Sequence, residues 1–381
     1  MKMLVLGAGL QGSACAFDLL LHTDAAVTLA DVNPDHVAAF AKQAGGDRLT
    51  LATLDARDPK AVRSLMEGHT AAMSALPYYF NYDMARLAVE AGLHFADLGG
   101  NTEIVRQQQG LEAQASEKGI SIMPDCGLAP GMVNILAAEG IRRLDEVDAV
   151  RLYVGGLPQH PEPPLNYNIV YSLEGVLDYY TTPSWIMRDA HPTTVEALSE
   201  IEMVPFAVHG GELEAFHTAG GISTMPWEFE GEIPVMEYKT LRYPGHAEIM
   251  KAIRGLGLLD LDPVRVKDAS IVPRDVFISL ADPKLRKPGV HDLVALRVAV
   301  SGRRGGKAVT VTFELLDMFD ERHGISAMMR TTGYSLSLTG QLQAAGNVTR
   351  SGVTTAWEGT PYRAYVDGLR ERGVDIRESE G

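Results

Sequence analysis

Met3-Leu4-Val5-Leu6-Gly7-Ala8-Gly9-Leu10-Gln11-Gly12 is an apolar run that breaks directly into closely spaced glycines and then into an amphipathic stretch. That order reads as strand, tight turn and helix. In the GxGxxG spacing Gly7 permits the turn, Gly9 lets a pyrophosphate come close to the backbone, and Gly12 lets the helix pack on the strand. Leu10 and Gln11 are the first helical residues, so their backbone N–H groups are expected to face that anion. About 20 residues on, Asp31 ends the second apolar run, where its carboxylate would accept hydrogen bonds from the ribose hydroxyls of an adenosine. Its charge would repel a 2′-phosphate, and the following Val32 and Asn33, candidate cofactor residues beside it, offer no lysine or arginine to hold one. The expectation is a Rossmann-type domain that binds NAD rather than NADP.

Outward from this stretch, short apolar runs alternate with helical segments up to about residue 125, the pattern of a doubly wound parallel sheet. The expected strands are Met3–Leu6, Val27–Asp31, Leu49–Leu54, Ala71–Ala75, His94–Asp97 and Ile120–Met123. Asn33-Pro34 and Asp58-Pro59 each place a capping side chain before a proline, the signature of a helix start. Ligands of such sheets lie over the carboxyl ends of the strands, so Asp55-Ala56, Ala75-Leu76-Pro77 and Gly100 join the candidate cofactor residues, although each also fits a plain turn. From about Val147 the alternation stops and longer β-rich stretches with proline-dense loops begin. Leu293–Val300 and Ala308–Leu315 read as antiparallel strands of an open mixed sheet in an α+β unit, and Ser326–Ala345 and Pro361–Arg372 as helices. The expected division is a Rossmann domain over 1–130, completed by helices within 326–381, and a substrate-binding and dimerisation domain over 131–325. The polar tail after Gly373 is expected to fray.

A chain of 381 residues suits two domains with a cleft between them. With 46% hydrophobic and 22% charged residues it reads as soluble and globular, and no apolar run approaches the roughly 20 residues of a membrane span. The N-terminus lacks the regions of a signal peptide, so the cytoplasm is expected. Two cysteines, Cys15 and Cys126, exclude a disulfide framework. A formal net charge of −15 opposes nucleic acid and acidic membranes but admits cationic small molecules. The histidines show no metal-ligand spacing, so no metal is expected.

Asp97-Leu98-Gly99-Gly100-Asn101 and Asp125-Cys126-Gly127-Leu128-Ala129-Pro130-Gly131 end the fifth and sixth strands in glycine-rich turns that let backbone approach a bound ring. Asp125 is the carboxylate expected nearest the nicotinamide; a turn or capping role is the competing reading.

Longer strings follow: Tyr153-Val154-Gly155-Gly156-Leu157-Pro158, Pro163-Pro164-Leu165-Asn166-Tyr167 and Thr240-Leu241-Arg242-Tyr243-Pro244-Gly245-His246. Together with Gly127–Gly131 and Arg330-Thr331-Thr332-Gly333, they resemble the saccharopine dehydrogenase-like family over nearly the whole chain, and within it the lysine 6-dehydrogenases most. The resemblance implies an oxidoreductase acting on a carbon that bears an amine, working as a homodimer. For lysine 6-dehydrogenases this is oxidation of the ε-amine of L-lysine with NAD, releasing ammonia and allysine, the 6-semialdehyde. Such chemistry needs the carbon held against the nicotinamide, a base for the ammonium proton, and water for the imine.

Arg242 is the candidate clamp for the substrate α-carboxylate, against the alternative of a structural ion pair. Pro244-Gly245-His246 is expected to begin a helix whose amides could face an anion, with His246 as a proton shuttle or a packing residue. Tyr167, Tyr171 and Tyr238 are candidates to wall the cleft, and Lys239 is an alternative base beside Tyr238 and His246. A saccharopine or carboxynorspermidine dehydrogenase, and a non-catalytic sensor of NAD, are the rival functions. The sensor is disfavoured because it has no need of an amino-acid pocket.

Overall fold

In the computed structural model, residues 1–169, 172–287 and 289–381 are described. β1 (Lys2–Leu6) runs into the glycine turn and the helix Leu10–His22. Gly7 sits at φ +97°, and a Cβ on Gly12 would stand 1.8 Å from the Gly7 carbonyl oxygen, so the turn closes only with glycine there. Met3, Leu4, Val5 and Leu6 are all fully buried. A central parallel strand is covered on both faces, which is why it reads as an unbroken apolar run.

β2 (Ala26–Asp31), β3 (Leu49–Thr53), β4 (Ala71–Ser74), β5 (His94–Asp97) and β6 (Ser121–Met123) complete the expected set within one residue at every end. They pair in the order β6-β5-β4-β1-β2-β3, all parallel. Asp58 caps its helix as expected, accepting from Lys60 N at 3.0 Å and Ala61 N at 3.2 Å. Asn33 does not. Only a short 3₁₀ turn, Pro34–His36, follows it, and the next helix starts at Ala39. Asn33 donates its backbone N–H to Asp31 Oδ1 (2.9 Å) instead, so the local geometry serves the aspartate rather than a helix end.

The second sheet is built on β7 (Glu146–Pro158), with β8 (Ser184–Arg188), β9 (His191–Val195), β10 (Glu202–Pro205), β11 (Glu212–His217) and β12 (Val235–Arg242) following. After a small hairpin of β13 (Val264–Val266) and β14 (Ala269–Ile271) come the long β15 (Asp292–Arg304) and β16 (Lys307–Met318). β12 runs parallel to β7, and the neighbours of these two are otherwise antiparallel, which makes the sheet mixed and open. The fold is therefore a doubly wound parallel sheet joined to an α+β unit.

The last part of the chain returns to the first sheet. The helix Ala327–Ala344 packs on Leu10–His22, where Gly333 faces Ala14 and Ser337 Oγ donates to the buried Asp18 at 2.7 Å. β17 (Gly352–Val353) then pairs with β6, giving seven parallel strands among the described residues. Two residues are too short a run to announce a strand. The tail corrects the expectation of fraying: β18 (Arg377–Glu380) pairs with β16 on the second sheet. Its polar side chains suit an edge strand and are tied down by Arg143 to Glu378 at 2.9 Å and Arg370 to Glu378 at 3.2 Å.

Candidate active site

The ends of β2, β3 and β4 enclose a cavity of about 440 Å³ lined by the expected Asp31, Val32, Asp55, Ala56, Leu76 and Pro77. Ala75 lies behind the glycine turn, its carbonyl oxygen 3.1 Å from where a Gly7 Cβ would be. Beside Gly9 there is open space on the side a Cβ would occupy. Asp31 Oδ2 accepts the Ala8 N–H at 2.7 Å and Oδ1 the Asn33 N–H at 2.9 Å. Each carboxylate oxygen has two lone pairs, so one on each is left for a ribose hydroxyl. The structure also brings in Arg57, from beyond β3. Asp55 grips it through Nη2 at 2.8 Å and Nε at 2.9 Å, and this hydrogen-bonded pairing holds the Asp55 carboxyl down at about 2. A reading confined to the residues after β2 does not find this cation.

Gly100 and Asp125 close the other end of the sheet. Asp125 follows β6 in a left-handed conformation, φ +61°, and is 2% exposed. Its Oδ1 lies against the turn after β5, 1.6 Å from where a Gly99 Cβ would be, so any side chain at Gly99 would displace it. Its Oδ2 accepts a hydrogen bond from Ser223 Oγ. Burial pushes the Asp125 carboxyl up to about 7, the Ser223 bond opposes this, and the nearby Asp97 adds to it. Asp97 is itself buried and raised to about 6 by desolvation, while Gln108 Nε2 (2.6 Å) and the Gly99 N–H (2.7 Å) donate to it.

The second sheet supplies the facing wall. Strand alternation puts Tyr238, Thr240 and Arg242 on one face of β12 and Lys239 on the other. The Tyr238 ring packs over Gly221. Lys239 donates to Glu202 Oε1 and to the Glu200 carbonyl, both at 2.8 Å, on the far side of the sheet, and so does not serve as the alternative base. Tyr179, which the sequence did not single out, bridges the two units: its hydroxyl lies 3.0 Å from where a Gly100 Cβ would be, and its ring crowds Gly220. Burial pushes its phenol up, with Tyr238 and Asp125 adding to the shift. Tyr171 lies outside the described residues.

Arg242 and His246 form a buried relay. Arg242 Nε donates to Tyr180 Oη (3.0 Å) and Nη1 to the Leu241 carbonyl (2.9 Å), with the guanidinium over the Tyr167 ring at 4.7 Å. His246 Nδ1 faces the Leu165 carbonyl at 3.0 Å, which requires the proton on Nδ1, so Nε2 accepts from Tyr180 Oη at 3.0 Å. Burial, then the Arg242 charge, push His246 down to about 3. His246 is thus a neutral packing residue rather than a proton shuttle. A helix does begin at His246, and its amides do face an anion, but the anion is internal: Glu214 accepts from Gly245 N at 2.8 Å and Ala247 N at 2.6 Å.

Glu200, His217 and Glu237 bring ligand atoms within 4.8 Å of one another, a grouping that sequence spacing does not reveal. Arg188 Nη2 already places a cation there, 2.9 Å from Glu200 and 2.7 Å from Glu237. Among the described residues no helix is long and apolar enough to cross a membrane.

Residues 3–123 match the saccharopine dehydrogenase NADP binding domain, and residues 127–374 match the saccharopine dehydrogenase C-terminal domain. The Saccharomyces cerevisiae saccharopine dehydrogenase [NADP(+), L-glutamate-forming] is 26% identical over 274 residues, 68% of this chain and 59% of that protein. The mouse mitochondrial alpha-aminoadipic semialdehyde synthase is 25% identical over 268 residues, 68% of this chain and 28% of that protein. The chain thus spans less than two thirds of the length of these curated relatives. Among solved structures, the apo Saccharomyces cerevisiae saccharopine dehydrogenase (L-Glu forming) superposes with a TM-score of 0.81 at 20% identity, covering 100% of this chain and 99% of that one. The Legionella pneumophila homospermidine synthase, solved with NAD, gives 0.70 at 12% identity, covering 100% and 91%. These likenesses show the same fold. With the two domain matches together running from residue 3 to residue 374, the chain belongs to the saccharopine dehydrogenase family.

Proposed function

We propose that the protein oxidises the ε-amine of L-lysine with NAD, releasing ammonia and the 6-semialdehyde. The observation that carries this reading is Asp125, a buried carboxyl with near-neutral acidity over the carboxyl ends of a dinucleotide-binding sheet. Such a group is matched to taking a proton from a substrate ammonium, which an ordinary aspartate is too weak a base to do. The glycine turn, the open space at Gly9 and the cavity beside Asp31 fit a nicotinamide dinucleotide, which when bound supplies the hydride acceptor. Gly7, Gly9 and Gly12, with the first amides of the helix Leu10–His22, would hold its pyrophosphate, and Asp31 its ribose. Tyr179 and Tyr238 line the facing wall near this carboxyl. The acidic balance of the chain favours a cationic amine as substrate. A homodimer belongs to this proposal on the family resemblance; light scattering of the purified chain tests it.

A second reading, oxidation of saccharopine with NADP, is favoured by the names of the matched relatives and by Arg57, a cation in the same cavity as Asp31. The deciding experiment is reduction of NAD and of NADP with L-lysine, L-ornithine and saccharopine, with ammonia assayed in parallel. Turnover of L-lysine with release of one ammonia per NADH supports the first reading. Turnover of saccharopine alone, with no ammonia, sinks it.

Cofactor choice has its own test. Asp31→Ser with Val32→Arg is expected to lower kcat/KM for NAD by about thirtyfold, the loss of a charge-assisted hydrogen bond, and to raise use of NADP. Unchanged kcat/KM for NAD would place the ribose elsewhere. Arg57→Ala in the wild-type background should leave NAD use intact.

A further inference from the structure

We propose that Ser223 is a positioning residue that orients the Asp125 carboxyl and favours its ionised form across the boundary between the two domains. This rests on the reading of Asp125 as the base. Ser223 lies between β11 and the short helix Met225–Glu228, on the segment that meets the end of the parallel sheet. It is 2% exposed, and its hydroxyl donates to Asp125 Oδ2 from 98 positions away in sequence.

Both partners adopt backbone that side chains rarely take: φ is +55° at Ser223 and +61° at Asp125. Such conformations persist only where the surroundings over-determine them. Here Asn134 does so. Its Oδ1 accepts the Gly131 N–H at 2.7 Å, on the Asp125 turn, while its Nδ2 donates to the Ile222 carbonyl at 3.1 Å, next to Ser223. One buried amide therefore sets the spacing between the carboxylate and the hydroxyl. The left-handed turn at each end aims the two side chains at each other.

The chemistry of the pair has a direction. A serine hydroxyl that donates to a carboxylate favours its charged form, whereas burial and a neighbouring carboxylate favour the neutral form. The groups around Asp125 are Asp97 from the end of β5, the adjacent Cys126 and Tyr179 from the second domain. Burial pushes the Cys126 thiol and the Tyr179 phenol up, so both stay neutral near pH 7, and Asp97 disfavours the Asp125 charge. Ser223 and, more weakly, the Gly100 N–H work the other way, so without the serine hydroxyl Asp125 would hold its proton to higher pH.

Two variants of the full chain test this. Ser223→Ala deletes the hydroxyl and keeps a side chain in the strained conformation. Ser223→Gly deletes the hydroxyl and relieves that conformation, so it is the variant expected to fold at least as well as wild type. In both, the carboxyl ¹³C resonance of Asp125, assigned by its loss in Asp125→Asn, should titrate about one pH unit higher than in wild type, a tenfold gain in proton affinity. The acidic limb of kcat/KM, measured with L-lysine and NAD or with whichever amine and cofactor pair is turned over, should move by the same amount. A merely structural serine would change the melting temperature of Ser223→Ala and leave the Asp125 titration of Ser223→Gly where it was. That result overturns the proposal. If the resonance shifts but Asp125→Asn keeps its kcat, Ser223 still sets the acidity of Asp125, and it is the reading of Asp125 as the base that fails.

Discussion

Asp125→Asn is expected to lower kcat by about a hundredfold or more while leaving NAD affinity near wild type. The substitution is mild structurally. Asparagine tolerates the left-handed φ of +61° better than most residues, and its carbonyl oxygen still accepts from Ser223. Only the capacity to take a proton is removed. In the wild type, activity that depends on the free base should rise with pH through about 7, where burial has moved this carboxyl. Stability runs the opposite way. The folded-state value lies above the ordinary unfolded value of about 3.9, so the folded protein holds the proton more tightly. The resulting stability is fully present below that unfolded value and is lost as pH rises through about 7. Asp125→Asn has no such proton to lose, so its melting temperature relative to wild type should improve between pH 5 and pH 8. If kcat per folded molecule is unchanged and this trend is absent, Asp125 is a turn residue and the base lies elsewhere.

What the sequence discloses depends on how far apart the cooperating residues lie. β1, the glycine turn and Asp31 fall within one βαβ unit, so their chemistry is written in a contiguous window, and both the first sheet and several residues lining the cavity at its strand ends were legible from it. The cation in that cavity was not, because Arg57 arrives from the loop after a different strand. Asp125 could be singled out as an aspartate closing an apolar strand before a glycine turn. Its partner could not, since Ser223 lies in a loop of the other domain with no local pattern that points to a carboxylate. Strand parity separates two of the candidates: Tyr238 and Lys239 are adjacent on β12 and must face opposite sides, so both cannot serve one cleft. The tail misled for a related reason. Arg377–Glu380 is polar because it is an edge strand whose charges pair with Arg304, Arg143 and Arg370, and polarity by itself does not distinguish that from disorder.

Arg242→Ala is expected to act first on stability, and only through it on turnover. The motif around Arg242 suggested an arginine presented to a substrate carboxylate, but the residue is 4% exposed and its guanidinium donates inside the second domain. It donates to Tyr180, which donates to His246, which donates to the Leu165 carbonyl, so one cation anchors β12, the helix Leu173–Thr181, the start of the helix His246–Gly255 and the loop before them. Across the strand pair stands Glu214, whose buried charge is held by the Gly245 and Ala247 amides. Truncating the arginine takes a donor from Tyr180 and a positive charge from the neighbourhood of Glu214. Leaving a buried polar group without its donor in this way costs about 1 to 3 kcal/mol. Arg242→Lys keeps the charge but not the planar fork, and should recover only part of the loss. Because the Arg242 charge also helps to hold His246 down at about 3, its removal should let the histidine titrate at higher pH, visible in the imidazole resonances. The measurement that decides is melting temperature beside kcat/KM for L-lysine and for cadaverine, which lacks the carboxylate. A large fall in melting temperature with parallel losses for both amines supports the structural role, whereas an unchanged melting temperature with a loss confined to L-lysine would make Arg242 the carboxylate clamp after all.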